Sequence, residues 1–429
     1  MSAPIGLECL RCGMEYSADY GVIGCERCRA QGHAVNLAPT YDGSALRLVL
    51  DHGGFDPGER GVWRYHPLLP VDLRRAIWLG EGETPLIQAT ALGERLGLDR
   101  LFLKNETRNP TGSYKDRMAA VLIARAREVG AKVIAVASSG NGGAALAAYA
   151  AVAGLDCVIF TTANTPPAMQ AQMLAYGAKV VALPTGPDRW TLLQQAVEVH
   201  GWYPASNYLE TPIGSNPYGV EGYKTLAYEV WEQLGREAPD VMALPVCYGD
   251  GLSGTARGFD DLAALGYVRR PPRLVAGEVG DEGGGPLSRA LADSLEDPPT
   301  VETGPSVAIS IGGGRSTYQA LHALRETDGR AVTVGDEELL RWQAELARGE
   351  GIYAEPSALA SVAALARLRR DDRLGRGAAA VAVITASGLK HPGAGGAADV
   401  PVIEPTLEGL ERALREAYRL DVGRLGEAG

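Results

Sequence analysis

The chain has 429 residues, a formal net charge of −11 and a sequence pI near 5.2. Hydrophobic residues make up 46% and charged residues 22%, which is typical of folded domains and excludes extended disorder. The acidic balance argues against nucleic acid or an anionic membrane as a general partner, because basic surface holds both.

No segment approaches 18 uninterrupted apolar residues, and residues 1–6 lack a charged segment followed by an apolar run. We therefore expect a cytoplasmic protein with no membrane partner. The length allows two or three domains with substantial cores.

Four of the six cysteines stand near the N-terminus as two Cys-x-x-Cys pairs. Cys9 and Cys12 form the first pair, and Cys25 and Cys28 follow after 12 intervening residues. Two such pairs can bring four thiolates to the corners of a tetrahedron, as structural zinc requires. Disulfides are the competing interpretation, but they need an oxidising compartment, which the missing signal peptide does not support. A ribbon that has lost its metal and a redox-active cysteine pair are further alternatives. We predict a closed, structural zinc site in a ribbon at 1–38.

After a turn-rich connecting segment at 39–80, apolar runs of strand length alternate with helical segments of roughly a dozen residues. We predict strands at 132–137, 157–160, 180–183, 241–246, 273–278, 306–311 and 379–385. We predict helices at 116–129, 141–152, 221–234, 255–265, 316–325, 336–348, 357–369 and 407–418. This alternation is typical of βαβ units, in which helices cover the faces of a parallel sheet.

Lysine is scarce, since only six of the 41 basic residues are lysines. Lys115 follows a short turn containing Gly112 and stands at the start of the predicted helix 116–129. The partial positive field of a helix start favours a neutral amine, which can attack a carbonyl. A solvated lysine is the ordinary interpretation for such a residue in isolation.

The segment Asn109-Pro-Thr-Gly-Ser-Tyr-Lys-Asp-Arg117, followed by Ser138-Ser-Gly-Asn-Gly-Gly143, resembles known motifs. These are the lysine motif and the asparagine loop of fold-type II pyridoxal-phosphate (PLP) enzymes, particularly of the threonine synthase branch. Further matches follow in the same order over about residues 80–395, namely 221–225, 249–254, 351–356 and 385–392. Motifs in order over that length are specific for fold and cofactor, and much less specific for substrate.

The resemblance implies an α/β fold with two three-layer α/β/α domains and mainly parallel sheets, as in the tryptophan synthase β subunit. The small N-terminal zinc ribbon precedes them, as it often does in threonine synthases of this type. We expect a large PLP-binding domain formed by 39–108 and 209–429, and a small domain at 109–208. Relatives of this fold are usually dimers, so we expect a homodimer.

The resemblance also assigns cofactor-binding residues. Lys115 forms the Schiff base with PLP and, once released, moves protons at the substrate Cα. Asn141 bonds the ring hydroxyl, although asparagine at a helix start is also a good N-cap. Thr385 faces the pyridine nitrogen, where a hydroxyl cannot stabilise a protonated ring, so elimination or replacement is favoured over transamination. An ordinary threonine at a strand end is the alternative interpretation.

A glycine-rich segment at 246–254 lies between a predicted strand and a predicted helix, where backbone N–H groups can form an anion nest. We predict that it binds the cofactor phosphate through Gly249, Asp250, Gly251, Leu252 and Ser253. Such turns are also common without a ligand. The carboxylate of Asp250 is unfavourable beside a phosphate, so we expect its side chain to point away.

The start of the predicted helix 141–152 offers hydroxyl and amide groups to a substrate carboxylate. The predicted substrate-binding residues are Ser138, Ser139, Gly140 and Gly142. Glu355 is interpreted as structural support at a helix start, and no role is assigned to Cys247.

The resulting hypothesis is a PLP-dependent lyase or synthase that acts on a small amino acid by β- or γ-elimination or replacement. The substrate would be O-phosphohomoserine or a related activated amino acid. Gly219 replaces an arginine that commonly binds the substrate phosphate in threonine synthases, and Gly142 replaces a threonine. Either Arg257 or Arg315 supplies the missing cation, or the leaving group is not phosphate. Alternatives are a serine/threonine dehydratase or ammonia-lyase, a synthase for another nucleophile, and an inactive PLP-fold binding protein.

Overall fold

The structure is a computed structural model that describes residues 4–209, 211–392 and 400–420. The described residues fall into two units, one within 1–392 and one within 393–429, and each is described by itself. In the described part of the chain, no helix is both long enough and apolar enough to cross a membrane.

The N-terminal segment forms a small antiparallel sheet with two helices. Its elements are β1 (Gly6–Cys9), β2 (Glu15–Tyr16), α1 (Glu26–Arg29), β3 (Leu37–Thr40) and α2 (Gly43–Asp51). The strand order is β2-β1-β3, and Cys9 at the end of β1 pairs with Leu37 of β3. The side chains of Leu7, Val35 and Tyr218 form a small separate core beside the cysteines.

Strands and helices alternate in the central segment of the chain. The elements are β4 (Leu86–Gln88), α3 (Thr90–Leu96), β5 (Arg100–Asn105), α4 (Lys115–Glu128), β6 (Val133–Ala137), α5 (Asn141–Ala153), β7 (Asp156–Thr162), α6 (Pro167–Ala175), β8 (Lys179–Leu183), α7 (Gly186–His200) and β9 (Tyr203–Pro204). Four of these strands form a parallel sheet in the order β8-β7-β6-β9. Residues 143–150 of the alanine-rich α5 are buried against this sheet and α4, because small side chains allow close approach.

The following segment completes a second sheet. Its elements are α8 (Pro217–Val220), α9 (Lys224–Gln233), β10 (Val241–Pro245), α10 (Asp250–Ala264), β11 (Arg273–Glu278), α11 (Pro286–Ala292), α12 (Tyr318–Glu326), β12 (Arg330–Thr333), α13 (Asp336–Glu350), α14 (Ala360–Arg370) and β13 (Ala379–Ile384). The order is β12-β11-β10-β13-β5-β4, and all pairs are parallel except β4 with β5. The central strands β10 and β13 are buried along their whole length, as expected where helices cover both faces.

The predicted α/β architecture with mainly parallel sheets is confirmed. The boundaries at 39–108, 109–208 and 209–429 remain a prediction, since both sheets lie within the same unit. The shorter unit contains α15 (Leu407–Tyr418), whose N-cap Thr406 accepts a hydrogen bond from the Gly409 N–H at 3.1 Å.

The strand predicted at 306–311 is wrong, because these residues belong to no strand. Their backbone N–H groups bond to side chains instead of a neighbouring strand. Val307 donates to Asp336 at 3.1 Å, and Ser310 donates to Ser357 at 3.1 Å. The strand beside β11 is instead β12, which the sequence analysis missed.

Several predicted helices, including those at 221–234, 255–265 and 357–369, also begin differently in the structure. The helix expected at 255–265 begins at Asp250, so the predicted phosphate loop forms its first turn. The glycines there allow close packing, since a Cβ at Gly254 would lie 2.6 Å from the Cβ of Tyr223. The helix expected at 221–234 begins as a 3₁₀ turn at Glu221–Tyr223 and continues as α9.

Candidate active site

Lys115 is the first residue of α4, and the turn before it is attached to the end of β13. The N–H of Tyr114 donates to the carbonyl oxygen of Thr385 at 2.9 Å. The N–H of Ser387 donates to the carbonyl oxygen of Gly112 at 2.9 Å. These two bonds bring the predicted Schiff-base lysine and the predicted ring-nitrogen partner into one local structure, although 270 positions separate them in the sequence.

Asp116 and Arg117, the two residues that follow Lys115, hold the preceding turn in place. Asp116 accepts hydrogen bonds from the N–H of Thr111 at 2.9 Å and from its hydroxyl at 2.8 Å. Arg117 is fully buried and pairs with Glu106 at 2.8 Å and Glu229 at 2.7 Å. A buried charge persists only when it is paired. This network therefore fixes the position at which α4 begins.

The side chain of Lys115 lies beside two aromatic rings. Its Nζ is 4.9 Å from the ring centroid of Tyr114 and 5.6 Å from that of Tyr223. Burial lowers the pKa of Lys115, but the two tyrosines and the nearby Asp250 outweigh it and raise that pKa above its ordinary value. The direction of this shift is opposite to the one expected from the helix start alone.

Asn141 begins α5, and Gly140 occupies the N-cap position, so the alternative N-cap role for Asn141 is wrong. Its Nδ2 donates to the two carboxylate oxygens of Glu355 at 3.1 and 3.2 Å. Its Oδ1 is buried and has no hydrogen-bond partner among the described residues. Burial raises the pKa of Glu355, although the hydrogen bonds from Asn141 and Ser310 act in the opposite direction.

Glu355 is a site residue that the sequence analysis treated as structural support only. The structure brings its carboxylate into direct contact with Asn141, from a turn joined to the end of β13 by the Glu355 N–H and the carbonyl oxygen of Ala386 at 3.0 Å. The match at 351–356 was the available signal, because it placed Glu355 within an ordered set of active-site motifs.

The first turn of α10 lies against the residue that precedes Lys115. Gly249 adopts a φ of 88°, in the left-handed region that favours glycine. A Cβ at Gly251 would lie 2.7 Å from the Cε2 atom of Tyr114. The carboxylate of Asp250 accepts hydrogen bonds from Ser215, from the N–H at 3.1 Å and from the hydroxyl at 2.7 Å.

The N–H groups of Asp250, Gly251 and Leu252 belong to the first turn of α10. No carbonyl oxygen of the helix is placed to accept hydrogen bonds from them. Ser253 differs, since its N–H donates to the carbonyl oxygen of Gly249 at 2.9 Å. The side chain of Asp250 points to another segment, as expected. The first turn of α10 therefore presents backbone donors near Lys115.

The predicted carboxylate-binding segment lies at the start of α5. The hydroxyl oxygen of Ser138 accepts from the N–H of Gly143 at 2.9 Å and from that of Gly140 at 3.3 Å. Ser138 therefore caps α5. A Cβ at Gly142 would lie 3.5 Å from that hydroxyl oxygen, in ordinary contact. Ser139 instead receives a hydrogen bond of 2.6 Å from Nη1 of Arg189.

Arg189 is a second residue that the sequence analysis missed. It lies on α7, directly after β8, whose carboxyl end faces the same edge of the sheet as the loop after β6. Ligands of open α/β sheets bind at that edge. The position of Arg189 after the predicted strand 180–183 was thus a usable signal.

The structure also places the cations that were expected to replace an arginine at 219. A Cβ at Gly219 would lie 3.0 Å from the Cγ of Met118, so this position faces the core beside α4. Arg257 is committed to an ion pair with Glu221 at 2.8 Å and a hydrogen bond to Pro39 at 3.0 Å. The guanidinium of Arg315 lies 5.8 Å from the ring centroid of Trp190, next to Arg189.

The four N-terminal cysteines converge, with all sulfur atoms within 4.8 Å of one another. The Cys9 and Cys28 sulfurs are 3.6 Å apart, as are those of Cys12 and Cys25, too far for disulfide bonds. Burial raises the pKa of Cys25, but hydrogen bonds from Tyr16 and from neighbouring groups lower it overall to about 7. Burial raises the pKa of Cys9 to about 11.

Comparison with known proteins agrees with this geometry. Residues 77–386 match the family model described as pyridoxal-phosphate dependent enzyme. The chain is 35% identical to a threonine synthase of Methanosarcina acetivorans, over 90% of this chain and 92% of that protein. It is 33% identical to a threonine synthase of Methanocaldococcus jannaschii, over 95% and 99% of the two chains.

Solved structures with the same fold include maize serine racemase, with a TM-score of 0.61 and 22% identity over 72% of this chain and 89% of that one. Threonine deaminase isoform 2 from Solanum lycopersicum matches with a TM-score of 0.60 and 20% identity, over 71% and 79% of the chains. The fold-type II architecture expected from the sequence is therefore confirmed.

Proposed function

Because this chain belongs to the family of pyridoxal-phosphate dependent enzymes and is a lyase resembling threonine synthase, we propose that its substrate is O-phosphohomoserine or a closely related activated amino acid. The observation that supports this substrate most strongly is the similarity to two threonine synthases over at least nine-tenths of each chain. The reaction would release phosphate from the side chain and add water, so that O-phosphohomoserine and water give threonine and phosphate.

The site offers groups that suit PLP. One buried polar atom of the site, Oδ1 of Asn141, has no hydrogen-bond partner among the described residues. A polar cofactor that reaches it would remove the cost of leaving it unpaired. The N–H groups of the first turn of α10 would hold the phosphate of the cofactor. When bound, the cofactor supplies a conjugated ring that stores the electron pair released at the substrate Cα.

The residues of this chain would perform the remaining tasks. The amine of Lys115 would hold the cofactor covalently and then move the proton of the substrate Cα. The side chain of Asn141, held by Glu355, would orient the ring. The hydroxyl of Thr385 would face the ring nitrogen without a negative charge, which favours elimination or replacement. The amides at the start of α5, including that of Gly142, would hold the substrate carboxylate.

A serine/threonine dehydratase remains the second candidate, because position 219 faces the core and supplies no cation for a phosphate. Incubation with O-phosphohomoserine, threonine and serine separates the two. Release of phosphate together with threonine supports the proposed reaction, and a 2-keto acid formed from threonine or serine supports the dehydratase. If all three compounds stay unchanged, both assignments are wrong. An inactive binding protein is disfavoured because Lys115, Asn141 and Thr385 are all present.

We further propose that Cys9, Cys12, Cys25 and Cys28 hold one structural Zn²⁺. A tetrahedral zinc with Zn–S bonds of about 2.3 Å separates its sulfur ligands by about 3.8 Å. The two separations of 3.6 Å are close to that value. Four thiolates fill the coordination sphere, so this metal would stabilise the ribbon and take no part in the reaction.

A cytoplasmic location, a homodimer and the division into large and small domains complete the proposal. The described cysteines form no disulfide, which suits a reducing compartment. Light scattering coupled to size-exclusion chromatography tests the dimer, and a mass near that of one 45.2 kDa chain would contradict it.

A further inference from the structure

Arg189 carries a positive charge that no carboxylate in the described part of the chain neutralises through an ion pair. It is half-buried, its Nη1 donates to the hydroxyl of Ser139 at 2.6 Å, and its Nε donates to the carbonyl oxygen of Gly186 at 3.2 Å. Both acceptors are neutral. Burial lowers the pKa of Arg189, which reflects the free energy required to keep this cation away from water.

A second guanidinium lies in the same region. Arg315 stacks over Trp190, the neighbour of Arg189 on α7, with 5.8 Å between the guanidinium carbon and the ring centroid. Burial raises the pKa of Tyr248, while Arg189 and Arg315 both act to lower it. Arg189 lies on α7, which follows β8 of the four-stranded sheet, and Arg315 precedes α12, which leads to β12 of the six-stranded sheet.

This pair of arginines is located beside the reaction site. Ser139, which Arg189 contacts, stands two residues before Asn141. Tyr248 stands directly before Gly249 and the first turn of α10, and Thr317 holds its carbonyl oxygen by a hydrogen bond of 2.6 Å. An anion bound by Arg189 would therefore lie near the start of α5, where the substrate carboxylate is expected.

The charge of Arg189 indicates which anion would bind. A single carboxylate already has the amides of α5, whereas a second anionic group, such as a phosphate, can compensate the guanidinium of Arg189. The planar fork of arginine also matches the oxygens of phosphate. A half-buried cation without a counter-charge raises the free energy of the protein, and binding of an anion would lower it again.

We propose that Arg189 binds the phosphate on the side chain of the substrate, and that it replaces the cation missing at Gly219. This inference rests on the proposed function, because it assumes that the substrate is phosphorylated. It makes Arg189 a residue that determines substrate specificity, with Ser139 holding its guanidinium in place.

The test uses the holoenzyme, so that cofactor already fills the site for its own phosphate. Arg189→Gln removes the charge and keeps a polar side chain, and Arg189→Lys keeps the charge without the fork. Lys179→Gln is the matched control, because it removes one positive charge from an exposed position on β8. Cofactor absorbance and thermal unfolding identify any variant that has lost its fold.

Three quantities are measured: the KM for O-phosphohomoserine, the inhibition constant of inorganic phosphate, and the binding of serine through the change in cofactor absorbance. Arg189→Gln should raise the first two by about tenfold or more, as expected for the loss of a charge-assisted hydrogen bond. Serine binding should change by less than about twofold, since serine carries only the α-carboxylate. Arg189→Lys should give an intermediate loss, and Lys179→Gln none.

Two outcomes would overturn the inference. An equal loss of affinity for serine and for the phosphorylated compounds would show that Arg189 binds the α-carboxylate. An unchanged inhibition constant of inorganic phosphate would show that Arg189 does not bind the anion. If the parent enzyme releases no phosphate from O-phosphohomoserine, the proposed function fails separately. The effect of Arg189→Gln on phosphate binding still decides the anion site in that case.

Discussion

The backbone N–H of Tyr114 donates a hydrogen bond of 2.9 Å to the carbonyl oxygen of Thr385. This bond fixes the residue before Lys115 to the end of β13, the strand at the middle of the six-stranded sheet. The backbone at Lys115 is thereby held in place, while the amine at the end of its side chain can still move. Positioning of this kind accounts for much of the rate that an active site provides.

Replacement of Lys115 by alanine tests the centre of the proposed site. Borohydride should attach the cofactor covalently to the parent protein and no longer to Lys115→Ala, and activity should fall by about 10² to 10⁴ or more, because one amine performs anchoring and proton transfer. Mass spectrometry of the labelled peptide gives the attachment point. Lys132→Ala, at an exposed position, is the control and should behave as the parent. Cofactor found on a different lysine would contradict the assignment.

Replacement of Gly251 by alanine tests the contact between α10 and the lysine turn. The added Cβ would lie 2.7 Å from the ring of Tyr114, so the first turn of α10 or the ring must shift. We expect a loss of about 1–3 kcal/mol in the free energy of unfolding and a clear fall in cofactor affinity. Gly375→Ala is the control, since no atom lies within 4 Å of its added Cβ. Unchanged cofactor affinity in a folded Gly251→Ala protein would exclude this turn as the phosphate site.

Glu81 should make the stability of the protein depend on pH. Burial raises its pKa to about 7, although the hydroxyl of Tyr149 at 2.7 Å and the N–H of Leu79 at 2.9 Å stabilise its ionised form. Between about pH 4.5 and about pH 7, the carboxyl group of Glu81 is therefore protonated in the folded state and ionised in the unfolded state. The contribution of Glu81 to stability should accordingly be present below about pH 4.5 and be lost as the pH rises to about 7.

The variant Glu81→Gln cannot ionise, so it should gain stability relative to the parent over that range, by roughly 1–3 kcal/mol. Urea unfolding of both proteins at pH 5 and at pH 7.5 measures the difference, in which the contributions of other groups cancel. A difference that does not change with pH would mean that Glu81 titrates near its ordinary pKa.

Removal of the proposed zinc should destabilise the ribbon. Through hydrogen bonds that connect the ribbon to the first turn of α10, it should also disturb the candidate active site. Asn36, in the segment that leads to β3, donates to the carbonyl oxygen of Ser215 at 2.8 Å, and Ser215 donates to Asp250 at 2.7 Å. Cys25→Ser should reduce the metal content from one zinc per chain to nearly none, and stability should fall by several kcal/mol. Elemental analysis and thermal unfolding measure both effects. Cys157→Ala, at a buried cysteine outside the ribbon, should keep its zinc, and a parent protein without metal would refute the site.

The sequence by itself determined the family, the position of the proposed Schiff-base lysine and the cysteine cluster. These features are local, because each lies in one short motif whose spacing and residue types are sufficient to identify it. Lys115 needs only its turn and the start of α4, and the four cysteines need only their two pairs. The order of strands and helices likewise follows from periodicity along the chain.

Only the tertiary structure decided which distant residues meet. Periodicity does not indicate where a backbone N–H finds its acceptor, so 306–311 looked like a strand although side chains from Asp336 and Ser357 satisfy its donors. The glycines of α10 looked like a loop because their packing partner, Tyr223, lies on another element. The contact of Asn141 with Glu355 arises for the same reason, since α5 belongs with the four-stranded sheet and the turn at Glu355 is joined to the end of β13 in the six-stranded sheet.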